Sequence, residues 1–300
     1  MKAYPFDYIR AESVDDVLSA LDRYGTEARI IAGGQSLMPM LNFRLARPEV
    51  LIDINRLAEL SGIEDRGDHI RVGALTRHVD VARSPIIARH VPVVAEAMTH
   101  VAHPAVRNRG TLGGSLCLAD PAAELPACMV ALGADLVVAG NNGRRTVPAD
   151  AFFMGMFETA VDDGEMLIEV LLPKSGPGTR SAMDEVARRH GDYAIVGAAA
   201  VAEMDGPAFR DLRLVYFGVE DKPILARETA AALIGQSWSP ALAEDLKSTL
   251  AQDLSPNDDS QASSAMRLHL ADVLARRLLP RLADPDGPHP SRTENESVSR

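Results

Sequence analysis

Two glycine-bearing stretches hold the residues of this chain best suited to chemistry. The first is Ala32-Gly33-Gly34-Gln35-Ser36-Leu37, which follows the β-branched pair Ile30-Ile31. The second is Arg109-Gly110-Thr111-Leu112-Gly113-Gly114-Ser115, reached through Arg107-Asn108. Paired glycines tolerate positive φ and let a ligand come close to the main chain. Successive amides in such turns form a concavity that binds anions. Two of them in one domain suit a pyrophosphate, so the stretches are expected to meet in space. Taken alone, a glycine pair after a strand is more often just a tight turn. Neither stretch is a Gly-x-Gly-x-x-Gly that opens a helix, and neither carries the Lys-Ser/Thr of a P-loop.

The elements that must position these stretches are legible from pattern. Ser13 reads as an N-cap, with Asp15 and Asp16 in the first turn of a helix. Val14, Val17, Leu18 and Leu21 give it an apolar stripe, and Gly25 ends it. Strands are expected at 28–32 and 51–54, so the chain opens as a β-α-β unit. The alternation over 69–75 reads as a strand. Thr76 is expected to cap a helix over 77–83, and a further helical region should run from about 85 to 101. The His103-Pro104 break then leads into a basic loop, in which Arg107 or Arg109 could neutralise a phosphate. Residues 121–132 read as a helix with Pro121 at its start. Gly140-Asn141-Asn142-Gly143 is a hairpin signal between strands at 136–139 and 146–148, and 166–172 is a strand. After the linker 174–178 come three meander strands at 182–188, 194–203 and 212–219. Helices follow from Ser239-Pro240 to about 254 and from a cap at Ser263 or Ser264.

Composition excludes several classes of function. The net charge of −11 argues against a nucleic-acid partner. No run approaches the roughly 18 apolar residues of a membrane span. The polar opening after Met1 carries no secretory signal, so a cytoplasmic protein is expected. The two cysteines, Cys117 and Cys128, cannot supply the four thiolates of an iron–sulfur cluster. The histidines show no metal-ligand spacing.

The longer contexts are specific. Residues 32–39 run on through Arg44-Leu45-Ala46-Arg47-Pro48 to Leu51-Ile52-Asp53-Ile54. The second stretch is followed by Asp120-Pro121-Ala122-Ala123-Glu124-Leu125-Pro126. Together, over residues 1 to about 283, they resemble the FAD-binding medium subunit of molybdenum hydroxylases of the carbon monoxide dehydrogenase and xanthine dehydrogenase type. The resemblance implies an α+β chain. A vanillyl-alcohol oxidase/PCMH-type FAD-binding fold over 1–175, with subdomains of about 1–56 and 57–175, would be followed by an α+β domain over 178–283. That second domain would be an antiparallel sheet with helices, and 284–300 a disordered tail, which its composition also suggests. The resemblance further implies that Ala32, Gly33, Gly34, Gln35, Ser36, Leu37, Thr111, Gly113, Gly114 and Ser115 hold FAD through its pyrophosphate. Glu124 would bind a flavin-side hydroxyl, and Tyr193, in Arg188-Arg189-His190-Gly191-Asp192-Tyr193, would lie against the isoalloxazine ring.

Two positions depart from relatives. Gln35 stands where some carry histidine, and Gln cannot form the covalent flavin link, so non-covalent FAD is expected. Glu185 stands where several have lysine. The implied function is electron transfer. A small subunit with two [2Fe–2S] clusters would feed this flavin, and a large subunit would hold the molybdenum cofactor. The whole would be a dimer of heterotrimers, with the apolar surface of the C-terminal domain one place to look for an interface. A self-sufficient flavin oxidase or dehydrogenase is the alternative, and a flavin-free nucleotide scaffold a third reading.

Overall fold

The computed structural model describes residues 2–284, so the expected tail, Asp284 apart, lies outside the described residues. The chain begins with strand β1 (Asp7–Arg10), helix α1 (Val14–Tyr24), strand β2 (Ala28–Ile31), helix α2 (Leu37–Asn42) and strand β3 (Val50–Asp53). The three strands pair in parallel, in the order β1-β3-β2. The start of α1 is fixed as its sequence predicts. Ser13 Oγ accepts from the Asp16 amide, while the Asp16 carboxylate accepts from the Ser13 amide. This reciprocal cap satisfies two otherwise orphaned donors. Strand β1 and helix α2 have no counterpart in the sequence reading. Asp-Tyr-Ile-Arg is too polar to announce a strand, and its parallel pairing with β3 imposes the extended form.

The second layer opens with β4 (Ile63–Asp65) and β5 (His69–Gly73). A run of helices follows: α3 (His78–Arg83), α4 (Pro85–His90), α5 (Pro92–His100), α6 (Pro104–Arg107), α7 (Leu112–Leu118) and α8 (Glu124–Leu132). The chain returns through β6 (Asp135–Gly140), β7 (Gly143–Pro148), the short α9 (Ala149–Phe152), the hairpin β8 (Phe153–Gly155) and β9 (Glu158–Thr159), and β10 (Met166–Pro173). The sheet order is β4-β5-β10-β6-β7, antiparallel throughout. Its central strands are apolar on both faces. Val137, Ala139, Met166 and Ile168 pack toward α1 and the first sheet, whereas Leu136, Val138, Leu167, Val170 and Leu172 pack toward the helices. The alternation of side chains along a strand makes this division.

Four expectations in this region are corrected. Thr76 does not cap α3: Arg77 holds the cap position, and the Thr76 hydroxyl bonds the main chain of Gly62. The region 85–101 is two helices, because Pro92 brings no amide to continue α4. Arg107 sits in helix α6 rather than in a loop. Helix α8 begins at Glu124, three residues after Pro121.

The third layer is a sheet of β11 (Thr179–Ala187), β12 (Ala194–Asp205), β13 (Ala208–Phe217) and the short β14 (Ile224–Leu225), in that order. The expected three-strand meander thus gains a fourth strand. Helices α10 (Arg227–Leu233), α11 (Pro240–Asp253) and α12 (Ser264–Ala283) cover one face, with Ser239 and Ser263 as caps. Ala198, Ala200, Leu214 and Tyr216 meet these helices. The opposite face carries Met183, Ala199, Val215 and Phe217 into the same core as α5 and α8. The Phe217 ring lies over Gly197 on the neighbouring strand, where a Cβ would come within 2.0 Å of it.

Glu96 on α5 ties these layers together. Its carboxylate accepts from the Met183 amide of β11 at 2.9 Å and from Arg281 of α12. Glu96→Ala leaves a buried amide unpaired, which costs about 1–3 kcal/mol. A fall in the unfolding midpoint is the expected outcome, read by denaturant titration, with Arg281→Ala losing less because it leaves the Met183 amide bonded.

Candidate cofactor site

The two glycine stretches do meet. A Cβ on Gly33 would lie 2.2 Å from the Arg109 carbonyl oxygen and 2.9 Å from the Gly110 Cα. Only glycine admits so close a backbone approach. Side chains from between the two stretches clamp the contact. Asn55 Nδ2 donates to the Ala32 carbonyl at 2.8 Å, and Arg77 Nη2 donates to Asn55 Oδ1 at 2.7 Å. The other Arg77 nitrogen donates to the Arg109 carbonyl. Asn55 is itself oriented by Asp53, at 2.6 Å, and the Tyr8 hydroxyl also donates to Asp53. Burial works against ionisation of Asp53, but the hydrogen bonds from Tyr8 and Asn55 outweigh it and hold the carboxyl below its usual range. A cavity of about 410 Å³, lined in part by Asn55, Thr76, Arg77 and Asp80, opens beside the clamp.

The first stretch runs from the end of β2 into α2. Gly34 has φ +70°, a conformation that costs other residues about 1–2 kcal/mol. Gln35 Nε2 folds back onto the Gly33 carbonyl at 3.0 Å. No side chain caps α2. Among the described residues, the amides of Gly34, Gln35, Ser36 and Leu37 have no acceptor. A row of unanswered donors at the start of a helix is what an anion requires, so these residues fit a phosphate-bearing cofactor.

The second stretch differs from its sequence expectation. It is the first turn of α7 with Thr111 as N-cap, so Gly113 and Gly114 are helical and do not need positive φ. Its amides are already engaged. Leu112 donates to the Thr76 carbonyl, Gly113 to the Ala74 carbonyl and Ser115 to the Thr111 carbonyl. Gly114 donates to Thr111 Oγ at 3.1 Å. Thr111 and Gly113 are buried, while Gly114 is exposed and Ser115 half-buried. Gly113 is small because a Cβ there would sit 2.6 Å from Ala74 Cβ. This stretch therefore offers the bare Gly114 surface and the Ser115 side chain. Of the two arginines, Arg107 is structural, donating to the Val101 and Ala102 carbonyls at 2.8 and 2.7 Å. Arg109 is exposed beside the contact.

A second group of residues gathers beyond α7. Ala119, in a left-handed conformation, ends that helix and leads to Asp120 and Glu124. Burial, with Glu185 and Asp120 nearby, pushes the Glu124 carboxyl up to about 8. Burial also raises Asp120. Tyr193 is 63% exposed at its place before β12, and partial desolvation with the Asp120 and Glu124 carboxylates holds its hydroxyl above the usual phenol range. Tyr193 thus feels the charges of Asp120 and Glu124, from which it is far apart in sequence. The turn that carries Tyr193 rests on the 102–103 break, since a Cβ on Gly191 would lie 2.9 Å from the His103 ring. Asn55, Arg77, Asp120 and buried His78 adjoin these residues and were not singled out as site residues from sequence. Asp120 stood in the motif that carries the resemblance, and Asn55 is a polar residue just after a buried strand.

Residues 4–175 match the FAD binding domain in molybdopterin dehydrogenase, and residues 181–282 match the CO dehydrogenase flavoprotein C-terminal domain. The chain is 39% identical to the 6-hydroxypseudooxynicotine dehydrogenase complex subunit alpha of Paenarthrobacter nicotinovorans, across 93% of this chain and 95% of that one. It is 37% identical to the caffeine dehydrogenase subunit beta of Pseudomonas sp. strain CBB1, across 95% and 97%. A chain of carbon monoxide dehydrogenase from Hydrogenophaga pseudoflava superposes with TM-score 0.91 at 35% identity, covering 93% of this chain and 98% of that one. The chain belongs to the FAD-binding medium subunits of the molybdenum hydroxylases. The family resemblance, the FAD cofactor and the α+β fold expected from sequence are borne out.

Two outcomes test the site's physics. Gly33→Ala forces apart two main-chain segments, and overpacking of this kind costs about 1–3 kcal/mol. Its unfolding midpoint should drop, with a parallel loss of bound flavin. The raised Glu124 carboxyl makes the FAD-free protein bind more protons folded than unfolded. Its contribution to stability is full below the unfolded carboxyl value and is lost as pH rises toward about 8. Melting of the FAD-free protein between pH 5 and pH 8 should show this decline, and Glu124→Gln should flatten it.

Proposed function

We propose that the chain binds FAD non-covalently and passes electrons through it from iron–sulfur clusters of a small partner subunit to an external acceptor. Bound FAD supplies a carrier that is filled and emptied of two electrons. The chain's own residues hold it. The open amides of Gly34, Gln35, Ser36 and Leu37, with Ala32 and Gly33 fixing their loop, take one end of the pyrophosphate. Gly114 and Ser115 receive it from the other side, on a turn made rigid by Thr111 and Gly113. Glu124 accepts from a flavin-side hydroxyl, and Tyr193 lies against the ring. The observation that carries this reading is the row of unanswered amides on a loop locked against the second stretch. Gln35 bonds its own loop and has no chemistry for a covalent flavin link.

We read residues 1–175 as the FAD-binding domain, in subdomains of about 1–56 and 57–175, and residues 178–283 as the C-terminal domain. The boundaries of the two family matches support this division. Substrate hydroxylation belongs to a large subunit with the molybdenum cofactor, and the assembly is a dimer of heterotrimers in the cytoplasm. No helix among the described residues is long and apolar enough to cross a membrane. No group of metal-ligating side chains occurs among them. The relatives named as subunits of dehydrogenase complexes favour this reading over a self-sufficient oxidase. The partner surface is better sought in the FAD-binding half than on the C-terminal domain. Met154, Met156 and Phe157 stand 53–57% exposed on one hairpin, and Phe43 and Leu45 are exposed beyond α2. Contiguous apolar exposure of this kind marks interaction sites.

The chain expressed alone should bind one FAD per chain and accept electrons from dithionite, yet oxidise no organic substrate. Co-expressed with iron–sulfur and molybdenum subunits, the same flavin should bleach on anaerobic addition of substrate. Rapid substrate-driven bleaching in the metal-free single chain would restore the self-sufficient oxidase.

A further inference from the structure

Helix α2 ends in a way that its own stability does not explain. The Arg44 amide donates to the Leu41 carbonyl at 3.1 Å and the Leu45 amide to the Met40 carbonyl at 2.8 Å, the paired bonds of a Schellman motif. The residue just past the cap in this motif is usually glycine, because its left-handed conformation is unfavourable once a Cβ is present. Here it is Arg44, at φ +62°. The apolar residue that follows usually folds back onto the helix. Leu45 is 76% exposed instead, and Phe43 is 65% exposed. These are the two highest exposures of large hydrophobic side chains among the described residues.

Cations surround them. The Arg44 and Arg47 guanidinium groups lie over the Tyr4 ring, 4.8 and 4.6 Å from its centre. Arg44 Nε also donates to the carbonyl of Lys2, which is itself exposed. Among the described residues, neither guanidinium has a carboxylate within ion-pairing distance. The ring therefore holds two charges in place without neutralising them, on a chain whose net charge is −11. The hairpin of Met156 and Phe157 differs, because exposed Glu158 follows its apolar tip. The two apolar surfaces thus suit partners of opposite charge.

We propose that the turn 43–47, with Lys2 and Tyr4, is the docking surface for an acidic, apolar segment of the iron–sulfur subunit. The assignment rests on the electron-transfer reading above. Carboxylates of that segment pair with guanidinium groups whose planes are already set, so little freedom is lost. Its apolar side chains cover Phe43 and Leu45. Arginine is a frequent anchor of such surfaces. Location selects the partner. Helix α2 spans six residues, about 9 Å, and its other end begins at the open amides of the cofactor loop. A subunit that hands electrons to the flavin must stand against this half of the chain, whereas the large subunit has no such requirement.

Full-length wild type, Arg44→Glu/Arg47→Glu and Leu45→Ser are each co-expressed with iron–sulfur and molybdenum subunits. The complexes are diluted and followed by size exclusion with flavin and iron detection. Each chain is also expressed alone, melted and assayed for bound FAD. Alone, both variants should carry wild-type FAD, and Leu45→Ser should melt as wild type does. In the complex, both should part from the iron–sulfur subunit at a concentration at least tenfold higher than wild type. Added salt should weaken the wild-type complex and not that of the double variant. Unchanged dissociation in both variants overturns the assignment. So does weaker assembly of both that accompanies a lower melting temperature or lost FAD in the chain alone. Release of the molybdenum subunit in place of the iron–sulfur subunit overturns the choice of partner. A wild-type chain that binds FAD yet assembles with neither subunit overturns the functional reading itself and this assignment with it.

Discussion

The main-chain contact between Gly33 and the Arg109 carbonyl is the constraint on which the site depends. Two segments about 75 residues apart touch with no side chain between them. The binding comes from a polar chain, Tyr8 to Asp53 to Asn55 to Arg77, whose last two members hold the carbonyls of Ala32 and Arg109. Each link in such a network is modest by itself, but the network restricts two loops at once and orients the amides that follow Gly33. Preorganised donors need no rearrangement when an anion arrives, which lowers the entropic cost of binding.

The two halves of the site work by different physics. Around Gly33 the donors are main-chain and the ligand group they suit is strongly anionic. Around Glu124 the groups are poorly solvated carboxyls, which suit neutral hydroxyls. The transition between them is made by helix α7, whose exposed Gly114 surface adds no side chain to obstruct the passage.

Much of this was legible in the sequence, and the remainder has identifiable causes. The Ser13 cap, the Asn141-Asn142 hairpin and the alternating strands are local signals, decided by a few neighbours, and they appear where expected. The glycine stretches were recognisable because glycine pairs are costly and therefore kept for a reason. Their difference was not: Gly33-Gly34 and Gly113-Gly114 look alike, yet the first precedes an uncapped helix and the second lies within a capped one. Thr111, separated from Gly114 by only three residues, decides that by taking the Gly114 amide. The Asn55–Arg77 pair was invisible, since nothing in either residue's surroundings announces a partner 22 positions away. Strand β1 was hidden for a related reason, because its partner β3 supplies the order that Asp7–Arg10 lacks alone.

The face that β11, β12 and β13 turn toward α5 and α8 bears on how such chains can be recombined. The linker at 174–178 looks like a seam between exchangeable modules. Yet Met183, Ala199, Val215 and Phe217 complete a core begun by residues before that linker. A chimaera joined there from two relatives would inherit matched hydrogen bonds along each sheet and mismatched volumes between them. The unit that evolution or an engineer can trade is therefore the pair of facing surfaces, and substitutions on one side of the linker are under pressure to be answered on the other.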